Sequence, residues 1–204
     1  MEYICLDVET TGLSPMNDSV IEVCGFHIVD GVSVGKFSEL IKPFWDIPRY
    51  IESVTGITNE MVKNSRDISE VLPDFFDFCG QLPIVGYNVK FDYNMLVAKS
   101  KTICSDFSMG ETRRGFDVYS LVRKYMKGLQ SKKLGDVADY MGISLPPVEG
   151  RGFHCAEYDA YVTKLIFDAF LSKGVAPKFD YLDKKDRSNN LYGRVYNNEE
   201  LPLT

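Results

Sequence analysis

The chain has 204 residues and a formal net charge of −6, with 45% apolar and 25% charged residues. This composition excludes a disordered or low-complexity chain and predicts one domain with a full hydrophobic core. No apolar run reaches the roughly 18 residues that a membrane span needs, and the first residues lack the pattern of a signal peptide. The acidic balance argues against a protein that coats long duplexes through a basic surface, but bound cations could still hold phosphates.

The five cysteines are scattered and form no Cys-x-x-Cys pair, which excludes zinc-ribbon and thioredoxin-like sites. Cys5 and Cys24 lie within apolar strand patterns and are expected in the core. Reduced thiols in a chain without a signal peptide favour the cytoplasm. We therefore expect a cytoplasmic protein that binds no membrane.

The N-terminal region predicts an antiparallel meander. Residues 2–9 alternate between apolar and other side chains, so that Asp7 and Glu9 share one face of a strand. Residues 19–29 and 33–42 are two further strand candidates, and an Asp-Gly turn signal lies between them.

The remainder of the chain predicts helices and strand–helix units. A break at Pro43 and Pro48 precedes a helix start with Thr58 as its cap, and Asp117 is the predicted cap of a later helix. The predicted helices cover 67–79, 91–101, 119–127, 132–141 and 155–172, and short strands cover 84–87 and 115–118. This order predicts an α/β fold with a mixed sheet, an antiparallel meander plus parallel strands, flanked by helices. The domain is expected over residues 1–173, with a polar tail or linker over 174–204.

Four acidic residues and one histidine lie where predicted elements meet the edge of the sheet. Asp7 and Glu9 end the first strand, Asp92 opens a helix after a strand, and Asp159 begins the last helix, five residues after His154. Converging carboxylates repel each other, and Mg²⁺ or Mn²⁺ would balance them. Two such ions suit phosphoryl chemistry, and a neutral histidine can accept a proton from water. Each residue alone also has a common alternative, such as Asp92 as a helix cap.

Three short motifs contain these residues. They are Asp7-Val8-Glu9-Thr10-Thr11-Gly12-Leu13, Tyr87-Asn88-Val89-Lys90-Phe91-Asp92, and His154-x-Ala156-x-x-Asp159-Ala160-x-x-Thr163. In this order they resemble the motifs of the DEDDh family of 3′–5′ exonucleases, and especially the proofreading exonucleases of bacterial replicative polymerases (the epsilon-subunit type). The resemblance covers about residues 1–173 and implies a ribonuclease H-like fold. The sequence departs from the family at Tyr87, where many members have histidine.

The resemblance also implies roles for individual residues. Asp7, Glu9, Asp92 and Asp159 would hold two Mg²⁺ or Mn²⁺ ions, and His154 would act as the general base.

Four further residues are implied to contact the substrate. Thr10, through its backbone, and Leu13 would meet the terminal nucleotide, with Leu13 wedged against its base, while Asn88 and Phe91 would line the path of the strand. Phe91 as a core residue and Asn88 as a turn residue are the alternatives.

The sequence thus predicts a metal-dependent 3′–5′ exonuclease that releases nucleoside 5′-monophosphates from single-stranded or frayed DNA ends, in proofreading or repair. Two alternatives stay open: an exoribonuclease that trims RNA ends or short oligoribonucleotides, and a polymerase-docking subunit with an incidental nuclease site. The tail after Gly174 is the candidate contact to a DNA polymerase subunit. Trp45 is expected to pack in the protein rather than stack on bases, and Gly150 and Gly152 predict a flexible loop before His154.

Overall fold

The computed structural model describes residues 1–103, 113–147 and 150–182, and these residues form a six-stranded mixed sheet flanked by helices. The strands are β1 Glu2–Thr10, β2 Val20–Val29, β3 Val32–Leu40, β4 Ile84–Gly86, β5 Arg114–Asp117 and β6 Asp180–Tyr181. The helices are α1 Arg49–Thr55, α2 Asn59–Val62, α3 Ile68–Cys79, α4 Val89–Ile103, α5 Val118–Tyr125, α6 Leu134–Tyr140 and α7 Ala156–Ser172. The strand order is β3-β2-β1-β4-β5-β6, in which β1–β4 and β4–β5 are the parallel pairs. The predicted mixed sheet is confirmed.

The central strand β1 separates two hydrophobic cores. Ile4 and Leu6 point into the core that α3 and α4 cover, whereas Tyr3 and Cys5 point into the core that α7 covers. All four side chains are fully buried. The alternation predicted for this strand is therefore confirmed, and side chains near its C-terminal end are shielded by helices on both faces.

Local capping chemistry fixes the starts of three helices, and the caps at Thr58 and Asp117 were predicted. Thr58 accepts the backbone N–H of Met61 at the start of α2. Asp67 forms a capping box with Glu70 at the start of α3, and Asp117 accepts the backbone N–H of Tyr119 at the start of α5.

The helix α1 was not predicted. The sequence pattern places Pro48 in a break, but Pro48 is the N-cap residue of α1. Proline fits the start of a helix as well as a break, so its presence alone does not distinguish the two.

The expectation that Trp45 packs in the protein is wrong. Its side chain is 74% exposed, and its ring meets that of Phe44 edge-on with 4.8 Å between centroids. The neighbouring Ile41 and Ile47 fill the buried positions of this loop, which leaves both aromatic rings at the surface.

The first residues of the predicted polar tail complete the edge of the sheet. Val175 is buried, the ring of Phe179 contacts that of Phe116, and β6 pairs antiparallel with β5. Cys104, Tyr192 and Tyr196 lie outside the described residues, and the boundary between domain and tail stays a prediction. Among the described residues, no helix has the length and hydropathy to cross a membrane.

Candidate active site

Three elements, β1, α4 and α7, bring the candidate carboxylates together at the C-terminal end of β1. Asp7 and Glu9 lie at the C-terminal end of β1, beside the parallel strand β4. Asp92 lies in the first turn of α4, directly after β4, and is only 3% exposed. Its Oδ1 accepts the backbone N–H of Val8 at 3.1 Å, which ties α4 to the end of β1. Asp92 therefore bridges two elements of the site.

The helix α7 supplies the fourth carboxylate. It packs across β1, where the thiol of Cys5 donates to the carbonyl oxygen of Ala160 at 3.2 Å. Asp159 lies in the first turn of α7. Ligand atoms of Glu9, His154 and Asp159 all lie within 4.8 Å of one another.

Burial and mutual repulsion disfavour the ionised form of these carboxyl groups. Burial, followed by the charges of Asp92, Asp159 and Glu9, raises the pKa of Asp7 well above its ordinary range. Burial also raises the pKa of Asp92, even though the backbone hydrogen bond from Val8 opposes the shift.

The pKa values of the two remaining carboxyl groups are also raised. Burial and the charge of Asp159 raise the pKa of Glu9 to about 8. Burial raises the pKa of Asp159 to about 7, against the hydrogen bond from His154. The four groups together therefore favour the uptake of protons or cations.

A divalent cation fits this donor set. The four carboxylates offer oxygen ligands, which hard cations prefer. The Oδ1 atom of Asp159 is buried and has no hydrogen-bond partner among the described residues, although its Oδ2 accepts the backbone N–H of His154 at 3.2 Å. A buried carboxylate oxygen without a partner is costly, and a bound cation would satisfy it.

His154 is exposed and has an unusual backbone conformation. Its φ of 65° lies in the left-handed region, which is uncommon for a residue other than glycine. The hydrogen bond from its backbone N–H to Asp159 helps to hold this conformation. The imidazole consequently stands at the solvent side of the cluster, within reach of Glu9 and Asp159.

The turn after β1 presents Leu13 to solvent. The hydroxyl of Thr10 donates to the carbonyl oxygen of Gly12 at 2.7 Å, and Asp18 accepts the N–H of Ser14 at 2.8 Å. A Cβ at Gly12 would lie 2.5 Å from Oδ2 of Asp18, so a larger residue here would displace the carboxylate that holds the turn. Leu13 is 83% exposed, and an apolar side chain is thus presented to solvent in the turn that follows Glu9.

The other two predicted substrate residues differ in exposure. Asn88 is exposed at the turn between β4 and α4, with a left-handed φ of 64°. Phe91 is partly buried against the core beneath α4. The roles of both residues in substrate binding stay predictions.

Asp117 has a larger part in the site than the sequence indicated. It was predicted only as a helix cap, yet its Oδ1 accepts the N–H of both Asn88 and Tyr119, at 2.8 and 3.1 Å. Burial raises its pKa to about 6. Asp117 therefore holds the turn that leads into Asp92, a contact that depends on the adjacency of β4 and β5.

Sequence reasoning also missed Glu22 and Arg151. Glu22 is 4% exposed and lies on β2, directly opposite Glu9. It forms a hydrogen-bonded ion pair with Arg151. The sequence contains one signal, since a single acidic residue among the apolar residues of β2 requires a buried partner. The identity of that partner could not be deduced from the chain.

Comparisons with known proteins identify the family of this chain. The family model described as Exonuclease (RNase_T) matches residues 4–167. A DNA polymerase III of the PolC type from Thermotoga petrophila is 36% identical over 169 residues, which are 83% of this chain and 12% of that protein. The DNA polymerase III subunit epsilon of Aquifex aeolicus is 31% identical over 173 residues, 84% of this chain and 81% of that protein. The chain thus spans a small part of the PolC-type relative but most of the epsilon subunit.

Solved structures share the fold. Exonuclease X in complex with 5′-overhanging duplex DNA has a TM-score of 0.68 at 22% identity, over 85% of this chain and 94% of that one. Exonuclease I has a TM-score of 0.72 at 17% identity, over 84% of this chain and 41% of that one. With the family match, these findings confirm the ribonuclease H-like fold and the predicted relationship. The chain belongs to the exonuclease family and is an exonuclease domain of the DNA polymerase III epsilon type.

Proposed function

We propose that this chain is a metal-dependent 3′–5′ exonuclease that releases nucleoside 5′-monophosphates from single-stranded or frayed DNA ends. The observation that carries the proposal is the convergence of four carboxylates and one histidine at a single edge of the sheet, with the pKa of each carboxyl group raised. These residues are Asp7, Glu9, Asp92, Asp159 and His154. Membership of the exonuclease family supports the same reaction class.

The four carboxylates would hold two divalent ions, Mg²⁺ or Mn²⁺. When bound, such ions lower the pKa of a water molecule and stabilise charge on phosphate oxygens. The protein fixes the ligands before the ions bind, because Asp92 is hydrogen-bonded to β1 and Asp159 to the His154 loop. Preorganised ligands avoid reorganisation during the reaction.

His154 is the proposed general base. Its ring stands on the solvent side of Glu9 and Asp159, where a water molecule that attacks phosphorus can approach it. An imidazole nitrogen would accept the proton of that water, a step that contributes about 10²–10⁴-fold to the rate. The proton passes to the ring while the bond from phosphorus to the 3′ oxygen breaks.

The turn after β1 would receive the terminal nucleotide. Leu13 is exposed and apolar, so it can contact the face of a base without selecting its sequence. The backbone of Thr10, next to Glu9, would meet the same nucleotide, and Asn88 and Phe91 would line the path of the preceding strand.

DNA is the proposed substrate because the relatives are named as DNA polymerase III proteins. Discrimination for RNA would require a contact to the 2′ hydroxyl. We also propose that the domain acts beside a DNA polymerase subunit in proofreading, with residues 174–204 as the contact.

The direct test is digestion of 5′-labelled DNA and RNA strands, single-stranded or with a mismatched 3′ end, with and without Mg²⁺. We expect a ladder of DNA products shortened from the 3′ end in Mg²⁺, and none with a chelator. Asp7→Asn should be inactive, whereas Asp139→Asn, at an exposed position on α6, should be active. Intact DNA, or digestion that survives chelation, would contradict the proposal, and preferential loss of RNA would favour the exoribonuclease.

A further inference from the structure

We propose that Glu22 and Arg151 form a positioning pair that holds residues 150–155, the His154 loop, against the carboxylate cluster. The inference rests on the proposed function, since it assigns a catalytic purpose to the placement of His154. Neither residue belongs to the three motifs that identify the family resemblance.

The pair lies next to the carboxylate cluster. Glu22 faces Glu9 across the antiparallel pairing of β1 and β2 and is almost fully buried. The Arg151 side chain is 22% exposed, and its charge favours the ionised form of Glu9. A buried ion pair of this kind is sensitive to the loss of either partner, because the remaining charge is left uncompensated.

The two carboxylate oxygens of Glu22 fix both sides of the His154 loop. Oε1 accepts a hydrogen bond from the guanidinium of Arg151, three residues before His154. Oε2 accepts the backbone N–H of Ala156 at 2.8 Å, two residues after His154. The side chain of Glu22, on β2, therefore holds the chain on both sides of His154.

Arg151 extends the connection to α1. Its Nη1 donates to the carbonyl oxygen of Thr55 at 3.1 Å. Gly56 has a φ of 70°, and a Cβ at this position would lie 3.0 Å from Cδ of Arg151. The end of α1 is thus shaped to admit the arginine, which links α1, β2 and the His154 loop.

This arrangement explains how His154 keeps its left-handed backbone. Such a conformation is disfavoured for histidine and persists only where the surrounding contacts determine it. The contacts of Glu22 and Arg151 bracket the residue, and the hydrogen bond to Asp159 fixes the residue itself. Loss of the pair should release the loop without removing any carboxylate ligand.

A direct contact between Arg151 and substrate phosphate is the competing explanation. The guanidinium is turned towards the protein by its hydrogen bonds to Glu22 and Thr55, which use two of its five N–H groups. The two explanations predict different kinetics. A positioning residue changes kcat at an almost constant KM, whereas loss of a phosphate contact raises KM.

The test compares Arg151→Met with Arg66→Met, a matched control whose arginine pairs with Glu39 and Asp74 outside the site. We expect Arg151→Met to lower kcat about tenfold to a hundredfold on a labelled single strand. KM should stay unchanged, and the control should behave as wild type. Hydrogen exchange of the metal-free protein should show lost protection at residues 154–159 in Arg151→Met only.

A second variant, Arg151→Lys, keeps the charge but lacks the planar fork that reaches two acceptors, so it should restore little of the rate. Wild-type kcat in either variant, unchanged hydrogen exchange, or a rise in KM alone would overturn the positioning role. If wild-type protein digests no DNA while Arg151→Met still loses protection, the proposed function fails but the structural tie stands.

Discussion

The raised pKa values of the carboxylate cluster predict an unusual pH dependence of stability for the metal-free protein. Burial raises the pKa of Glu9 from 4.5 to about 8 and that of Asp159 from 3.8 to about 7. Between these limits the folded protein keeps a proton that the unfolded chain has released. Stability from these groups is therefore fully present below the unfolded values and falls as the pH rises towards the folded ones.

The size of this loss of stability depends on how far the pKa of each group differs between the folded and unfolded protein. One such group lowers the free energy of unfolding by about 1.4 kcal/mol per pH unit, or about 2 kcal/mol between about pH 5.5 and about pH 7. Glu9 and Asp159 are partly exposed, so solvent reduces each contribution, and we take about 2 kcal/mol for the whole cluster. In a protein of this size that corresponds to a decrease in Tm of roughly 4–8 °C.

Thermal melting of the protein in a chelator at these two pH values measures the decrease in Tm. A second set of melts with added Mg²⁺ or Mn²⁺ measures how much the bound ions raise Tm. The ions should raise Tm more at the higher pH, because they bind the ionised carboxylates. Asp159→Asn should flatten the pH dependence, whereas Asp139→Asn, on the exposed side of α6, should not change it. A metal-free Tm that rises with pH, or an equal metal effect at both pH values, would refute the electrostatic reasoning.

Three other predictions concern single residues of the site. His154→Ala should keep metal affinity and lose about 10²–10⁴-fold in kcat, and a single-turnover rate equal to wild type would remove it as the general base. Asp7→Ala should lose Mn²⁺ binding and digestion together, and calorimetry that finds unchanged affinity would exclude Asp7 as a ligand. Leu13→Ala should raise KM for single strands with no change in Tm, because the side chain is 83% exposed, and an unchanged KM would argue against its contact with the terminal base.

Local chemistry explains the parts of the fold that could be predicted. The strand β1 alternates strictly, so the sequence alone assigns its two faces to two cores. Thr58, Asp67 and Asp117 cap helices through atoms within three residues of themselves. Both kinds of pattern depend on short stretches of sequence, which one chain contains in full.

Features that depend on tertiary competition for burial could not be predicted. Trp45 is the largest apolar side chain of its loop, but Ile41 and Ile47 occupy the interior and leave it exposed. Composition ranks tryptophan among the residues expected to pack, whereas the course of the loop decides which side chain reaches the core. The helix α1 was missed for a related reason, because Pro48 can either break the chain or begin a helix, and packing of the next residues decides between the two.

Some residues of the candidate site could likewise be predicted from the sequence, and others could not. Its four carboxylates and His154 lie in recognisable motifs, so sequence could list them. Glu22 and Arg151 are 129 residues apart, and their contact arises only because β2 pairs with β1 in the register that sets Glu22 opposite Glu9. That register and the path of the loop before α7 are properties of the folded chain, which one sequence does not specify locally.

The charge balance of the site connects these two sets of residues. Arg151 places a positive charge among the acidic groups, but both of its terminal nitrogens are engaged, by Glu22 and by Thr55. It thus compensates mainly the buried carboxylate that anchors the loop. Its charge also favours the ionised form of Glu9, but the pKa values of all four candidate ligands stay raised. Because the protein balances the anchoring charge more fully than the ligand charges, the remaining negative charge is met from outside the chain, by protons below the raised pKa values or by divalent cations when they are present.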